Sequence, residues 1–504
     1  MVRTIITQDA EVDDRNSLRH FLLYANEVEL LGIVQTSSKF HWEGVPGAVK
    51  PPKTFTDDFD DAFMPESGPF DKPYRWPGTD WMWKVIDDYE KDYPNLVKHA
   101  EGYPTPDYLR SITKIGNIGY EGEREHPTEG SELIRKHMLD DDERPLYIQV
   151  WGGMNTIARA LMDIEAEYAG TDAWDAIHEK VTRKVIITAC GEQDPAYREY
   201  VAEVWPGIQF IKTLQMESYA YPWFKMPECE SKDTLKAAFM KNEILDSGSA
   251  LAGGYNTWLD GCSYPGERDS DQFGTNKELA ENLRFGNGAE QAAPYDFLSE
   301  GDSPTFFPFF DFGFRTLEDF RYGGLAGRYY KEESCNSKGE ALNLWNVCKD
   351  AFTGKDGVTR NLESMWPYVA DIQRDFAARA RWAGADSFEN GEHRPSLRIE
   401  EGLILSAAAG SKIVLHAETS SPDGAEVSVS FRIYEEASAP CAKKAVIDAD
   451  GGKAVVTIPE EACPGDQIHV ISKAQADGHH RLTYYQQVII TVSSDSAAGL
   501  GTAE

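Results

Sequence analysis

The feature that constrains this chain most is a strand, a helix and a second strand packed into its first 36 residues. Arg3-Thr4-Ile5-Ile6-Thr7 is a short β-rich run. From Ser17 onward, Leu18, Phe21, Leu22 and Ala25 repeat at helical spacing, and residues 28–36 form a second apolar run. A unit of this kind joins its strands by a crossover helix and therefore builds a parallel sheet. The pattern returns at residues 145–151, where a buried-type strand is followed by Gly152-Gly153 and a helix through Ile157, Ala158 and Leu161. Residues 184–189 read as another such strand. The expected fold class is α/β, a mainly parallel sheet flanked by helices. Residues 43–78 are rich in Pro, Gly and Asp and predict a long irregular loop, which is uncommon unless it covers something. A helix at 81–93 closes that insertion.

The character changes after a helix at 376–382. Residues 384–395 are polar and punctuated and suit a linker. Beyond it, alternating runs at 412–416, 427–431, 454–458, 467–471 and 487–492 predict an Ig-like β-sandwich. The expected organisation is an α/β domain over 1–383, a sandwich over 396–495 and a mobile tail over 496–504. A chain of 504 residues is long enough for two or three cores.

Charge narrows the partners. A net charge of −34 argues against a phosphate backbone, so no nucleic acid is expected. No apolar run reaches membrane-spanning length, so no membrane insertion is expected either. The start lacks the apolar core of a signal peptide. The expected compartment is cytoplasmic as written, or extracellular with a leader removed. The seven cysteines are scattered, never in a CxxC pair, and read as buried free thiols; Cys441 and Cys463 are the pair to consider if the protein is exported. Nothing in the pattern fixes an oligomeric state, and a homo-oligomer stays open.

Asp9, Asp13 and Asp14 fall where the first strand ends and its helix begins, the end at which α/β sheets bind ligands. Carboxylates crowded there repel one another unless a cation relieves them, and oxygen donors in such number suit Ca²⁺ or Mg²⁺. Acids at a helix N-terminus also serve as caps, which is the plainer use of Asp13 or Asp14 taken singly.

The run Thr7-Gln8-Asp9-Ala10-Glu11-Val12-Asp13-Asp14 resembles the DxDPGxDD signature of calcium-dependent nucleoside hydrolases. With Gln35-Thr36-Ser37-Ser38-Lys39-Phe40-His41-Trp42, Val150-Trp151-Gly152-Gly153-Met154-Asn155-Thr156 and Glu300-Gly301-Asp302-Ser303-Pro304, it is similar to the nucleoside hydrolase-like domain of bacterial proteins described as cellulose-binding. Those proteins also carry an all-β C-terminal domain. The resemblance implies that Asp9 ligates calcium and acts as general base, and that Asp14 and Asp302 are further ligands. It implies a backbone oxygen at Asn155 as another ligand, and Asp13 as the residue that holds sugar hydroxyls. Four positions depart from the signature. Thr7 replaces its first aspartate and Ala10-Glu11 its Pro-Gly. The Thr-Asn pair appears as Asn155-Thr156. Gly301 stands where a histidine often precedes the late aspartate. The metal ligands largely remain, while the groups that recognise base and ribose do not.

The resemblance thus implies a calcium-dependent hydrolase of O- or N-glycosidic bonds acting on a carbohydrate or glycoside. The alternative is a carbohydrate-binding protein that keeps the metal pocket without turnover. Glu11 and Glu300 are the extra carboxyls available as the acid for a leaving group. Lys39, His41 and Trp42 follow the second strand and are expected on the same rim, as are Gln193 and Asp194 after the strand at 184–189. Arg328, in a glycine-rich turn, is a further candidate for the ligand or for a salt bridge. Trp76, Trp81 and Trp83 could stack sugars, although core packing is the commoner use. His479 and His480 read as surface.

Overall fold

The computed structural model describes residues 1–52, 58–59, 68–262, 292–354 and 356–494, so part of the 43–78 loop and the 496–504 tail lie outside the described residues. The first unit forms as expected: β1 (Val2–Gln8), α1 (Val12–Leu22) and β2 (Val28–Gln35). β1 pairs in parallel with β2 on one side and with β4 (Leu146–Val150) on the other, which puts it inside the sheet. The remaining strands are β3 (Thr113–Ile115), β5 (Val185–Ala189), β6 (Gln209–Lys212), β7 (Tyr329–Lys331) and β8 (Leu344–Val347). They complete one sheet in the order β3-β2-β1-β4-β5-β6-β8-β7, antiparallel only at the β7–β8 edge.

Side chains alternate across β1, so Ile5 and Ile6 enter different cores. Ile6 joins Ile33, Trp151 and the faces of α1 and α2 (Trp81–His99). Ile5 joins Val34, Ile148 and Val150 on the other side. That second core is closed by α4 (Glu129–Leu139), α5 (Asn155–Tyr168) and α6 (Trp174–Lys184), while the short α3 (Pro106–Ile112) precedes β3. A sheet buried on both faces explains why its strands read as continuous apolar runs.

Two helices are longer than their patterns suggested. α2 continues through Pro94 to His99. The helix expected at 376–382 spans Val369–Gly384, and its extra turns carry Asp371 and Asp375, which are buried although charged. A hairpin of β9 (Lys349–Thr353) and β10 (Thr359–Glu363) precedes it.

The C-terminal strands form two four-stranded sheets, β11-β13-β16-β15 and β12-β18-β17-β14. They comprise β11 (Ser396–Ile399), β12 (Ile404–Ala407), β13 (Lys412–Ser420), β14 (Val427–Ile433), β15 (Val446–Asp450), β16 (Lys453–Thr457), β17 (Gln467–Ala476) and β18 (Thr483–Val492). All pairs are antiparallel except β12–β18. Leu415 and Val456 of one sheet pack with Val470, Val488 and Ile490 of the other in a shared core.

The two parts meet through packed contacts. Tyr434, Ile471 and Tyr485 belong to the same core as α1 and the Val369–Gly384 helix. Buried Asp371 accepts a hydrogen bond from Tyr485 and lies 2.8 Å from Lys473 Nζ. Within 384–395, Arg394 lies 2.7 Å from Asp375, and His393 lies 2.7 Å from Asp423 of the sandwich. The cysteines are free, but only Cys190 is fully buried, and Cys262, Cys335 and Cys463 are exposed. Among the described residues, no helix is long and apolar enough to cross a membrane.

Candidate active site

Three residues, Asp9-Ala10-Glu11, turn the chain from β1 into α1. Ala10 sits at φ 76°, in the left-handed region where an L-residue costs about 1–2 kcal/mol. The turn is held by its own polar groups: the Asp9 N–H donates to Asp14 Oδ1 at 3.0 Å and the Glu11 N–H to Asp9 Oδ1 at 3.3 Å. From the loop after β2, the Ser38 hydroxyl donates to Asp9 Oδ2, and His41 Nδ1 lies 3.6 Å from the same oxygen. Gly152 at the end of β4 makes the approach possible, because a Cβ there would lie 2.7 Å from Asp9 Cβ.

Asp13, Asp14 and Asp302 each offer a carboxylate oxygen, and these three oxygens lie within 4.8 Å of one another. All three residues are buried, and Asp302 Oδ2 has no hydrogen-bond partner. Burial, reinforced by the surrounding carboxylates, raises each of the three well above the usual carboxylate range. Asp9 behaves oppositely. Burial would raise it too, but the nearby His41 ring and the contacts with Asp14 and Ser38 outweigh burial and hold it low. One buried pocket therefore sets a carboxyl held low beside three that burial and mutual repulsion push up. The three raised groups form an all-oxygen donor set of the kind that hard divalent cations take.

Glu11 forms the more open edge, with its side chain 15% exposed. Its Oε1 accepts from Tyr221 Oη at 2.9 Å and lies 3.9 Å from Arg75 Nη2, and its Oε2 lies 3.8 Å from His41. Ser299 donates to Asp13 Oδ2 at 3.3 Å. Ser38, Arg75, Tyr221 and Ser299 were not singled out in the sequence. Ser38 alone had a signal, as part of the post-β2 motif; the others reach the pocket from loops distant in sequence.

The remaining expected site residues are placed as follows. Asp9 stands beside the set of three, and Asp13 stands within it together with Asp14 and Asp302. Glu300 is fully buried behind α1: its carboxylate lies 2.8 Å from His20 Nδ1, accepts from Tyr255 Oη at 2.6 Å and also accepts from Ser303. That carboxylate is committed, so Glu300 is a structural acid and not the leaving-group acid. Trp42 is also internal, stacked on Tyr74 with its indole N–H on the Lys72 carbonyl at 3.0 Å, and is no sugar platform. Asp194 accepts from the backbone N–H of Asn155 at 3.0 Å and of Ala196 at 2.9 Å, and burial pushes it up to about 7. It fastens the start of α5. Gln193 donates to the Trp151 and Cys190 carbonyls, and its own carbonyl receives the Lys39 N–H at 2.7 Å, so Lys39 and Gln193 join two loops behind the pocket. The Asn155 side chain is used up by Ser37, Asn117, Glu123 and Thr36. Arg328 lies 2.5 Å from Asp350 of β9, the salt bridge its turn allowed for. Trp81 is core, with Trp83 packed against it.

With this geometry in view, the comparisons are specific. Residues 3–329 match the family model "Cellulose-binding Sde182, nucleoside hydrolase-like domain". The chain belongs to that family. Residues 412–492 match a second model, "Cellulose-binding protein Sde0182, C-terminal domain". Among solved structures, a nucleoside hydrolase-related hypothetical protein from Saccharophagus degradans, described as associated with carbohydrate metabolism, is 24% identical. It aligns over 98% of this chain and 100% of its own with a TM-score of 0.68, which establishes the shared fold. A plant nucleoside hydrolase, PpNRh1, is 10% identical over 75% of this chain and 98% of its own; its TM-score of 0.30 is too low to carry an argument. No curated protein matches the chain.

Proposed function

We propose that the protein is a calcium-dependent hydrolase of glycosidic bonds, O- or N-linked, acting on a carbohydrate. One observation carries this: three buried carboxylates with oxygens within 4.8 Å of one another at the end of β1. A buried like-charge cluster has to take up protons or a cation. Asp13, Asp14 and Asp302 would hold the ion, and Asp302 Oδ2, buried without a partner, is free to ligate. A bound Ca²⁺ would compensate their charge and acidify a coordinated water.

The rest is the work of the chain's own residues. Asp9 is the base: Ser38 and His41 fix its Oδ2 and keep it ionised, so it can accept the proton of an attacking water. Glu11, partly exposed and bonded to Tyr221, is the group available to hydroxyls or to a leaving oxygen. Arg75 and Tyr221 set its orientation. The family is described as cellulose-binding, which favours a carbohydrate over a nucleoside. That description also favours a second reading, carbohydrate binding without turnover.

Product release from a panel of nucleosides, aryl glycosides and plant oligosaccharides, run in calcium and in EDTA, separates the two. Calcium-dependent release supports hydrolysis. Binding of an oligosaccharide by calorimetry with no release from any member of the panel overturns it.

A further inference from the structure

The turn between β17 and β18 carries His479 and His480 onto the α/β domain, far in sequence from the aspartate pocket. There Nε2 of His479 lies 3.1 Å, and Nε2 of His480 3.5 Å, from Glu243 Oε2, which belongs to the helical segment Met240–Leu245. One ligand atom from each of these residues lies within 4.8 Å of the other two. His479 is exposed, but His480 is only 4% exposed, contrary to its reading as surface.

The tautomer of His480 is fixed by its neighbour. Its Nδ1 is hydrogen-bonded to the Glu392 carboxylate, which can only accept, so Nδ1 carries the proton. A neutral ring then presents a lone pair at Nε2, and that buried nitrogen has no hydrogen-bond partner. The backbone N–H groups of His479 and His480 also donate to the two oxygens of Glu392, at 2.6 and 3.0 Å, and fix that carboxylate behind the ring. A carboxylate behind an imidazole whose other nitrogen faces additional ligands is how metal-bound histidines are oriented.

The spacing agrees. Bonds of about 2.0–2.1 Å to a tetrahedral zinc ion separate its ligand atoms by about 3.3–3.4 Å. The two nitrogens stand 3.1 and 3.5 Å from the carboxylate oxygen. The longer distance exceeds an ordinary N–H···O bond, so a direct latch between His480 and Glu243 does not account for it. Arg381 Nη2, 2.7 Å from Glu243 Oε2 and 3.3 Å from the Asn242 carbonyl, is the competitor, and its side chain is 38% exposed. Two imidazoles with one carboxylate suit the zinc class and not calcium.

We propose that Glu243, His479 and His480 bind a divalent transition-metal ion of the zinc class, clamping the β-domain to the α/β domain. The test titrates zinc into the full chain, stripped with EDTA and kept in excess calcium to occupy the hard-oxygen cluster, against a chromophoric chelator. One equivalent should bind. His479→Ala, at an exposed position the fold tolerates, should weaken binding at least about 10-fold, and Glu392→Gln by about 10–100-fold. His416→Ala, in the exposed Glu400, Glu401, His416 group, should leave binding intact. Zinc should raise the unfolding temperature of the wild type and not of His479→Ala. No binding, binding unaffected by His479→Ala, or loss of binding with His416→Ala would overturn the proposal.

Discussion

Replacing Asp302 by Asn should make the metal-free protein more stable and the calcium-loaded protein less so. Two unit charges 4.8 Å apart repel by about 3.5 kcal/mol at an effective dielectric constant of about 20. Asp302 faces two such neighbours, and proton uptake by the cluster relieves part of that repulsion. A net gain of about 1–3 kcal/mol at about pH 8 follows for the metal-free variant. The pH dependence has a definite sign. A carboxyl raised in the folded state binds more protons folded than unfolded. Its stabilising contribution is complete below the unfolded value near 3.8 and is lost as pH rises through the folded value. The advantage of Asp302→Asn should therefore shrink toward acid pH. Calcium inverts the order: at about 100 times its Kd it stabilises the wild type by about 2.7 kcal/mol, and the variant forfeits most of this. Denaturant titrations in EDTA and in calcium, at about pH 8 and about pH 4, read all four corners. Identical wild-type midpoints in EDTA and calcium, or a variant weaker than wild type in EDTA, would refute the reasoning.

Asp9→Asn should cut turnover by about 10²-fold or more while calcium affinity changes less, because the amide cannot take the water's proton; unchanged turnover on an active glycoside would move the base to Glu11. Glu11→Gln, at the partly exposed edge, should leave the denaturation midpoint in place and slow O-linked substrates more than N-linked ones, measured as kcat on paired aryl glycosides and nucleosides. Glu300→Gln, by breaking the buried pair with His20, should cost about 3–5 kcal/mol in denaturation. Trp42→Ala should cost about 3–5 kcal/mol as a cavity in the loop core; an unchanged midpoint with lost oligosaccharide affinity would make Trp42 a sugar platform after all.

How far the fold was legible follows from burial. β1, β2, β4 and β5 are covered on both faces, and their apolar runs announce them. β7 and β8 form the sheet's antiparallel edge, where Tyr330 and Lys331 are exposed, and nothing in their pattern marks a strand. β11, β12 and β15 were missed for the same reason, with outward residues such as Ser396, Ile404 and Val446 exposed. The site was legible as a set of aspartates at a strand end. Their division of labour was not, because Ser38 and His41 decide it from another strand's loop. Glu300 failed as an acid since one step in sequence from Gly301 turns its carboxylate toward His20, a direction no spacing encodes. His480 looked like surface because what buries it is a different domain.

The departures from the hydrolase signature form a connected set. Proline, fixed near φ −65°, could not occupy the conformation of Ala10 at φ 76°, so the turn after Asp9 is rebuilt and not merely resubstituted. The rebuilt turn carries Glu11 where the signature has glycine, and Glu11 meets Tyr221 and Arg75. Thr7, in place of the first aspartate, donates its hydroxyl to the Gln149 carbonyl at 3.1 Å and so closes into the sheet. At Gly301 a Cβ would stand 3.3 Å from Asp13 Oδ2, so a histidine there would press on Asp13 where it now joins Asp14 and Asp302. The changes at Ala10-Glu11 and Gly301 reshape the surroundings of the cluster, and none removes Asp13, Asp14 or Asp302. The chain thus keeps the three carboxylates of the proposed calcium site while the turn beside them is rebuilt, and the proposed action on a glycoside other than a nucleoside rests on that difference.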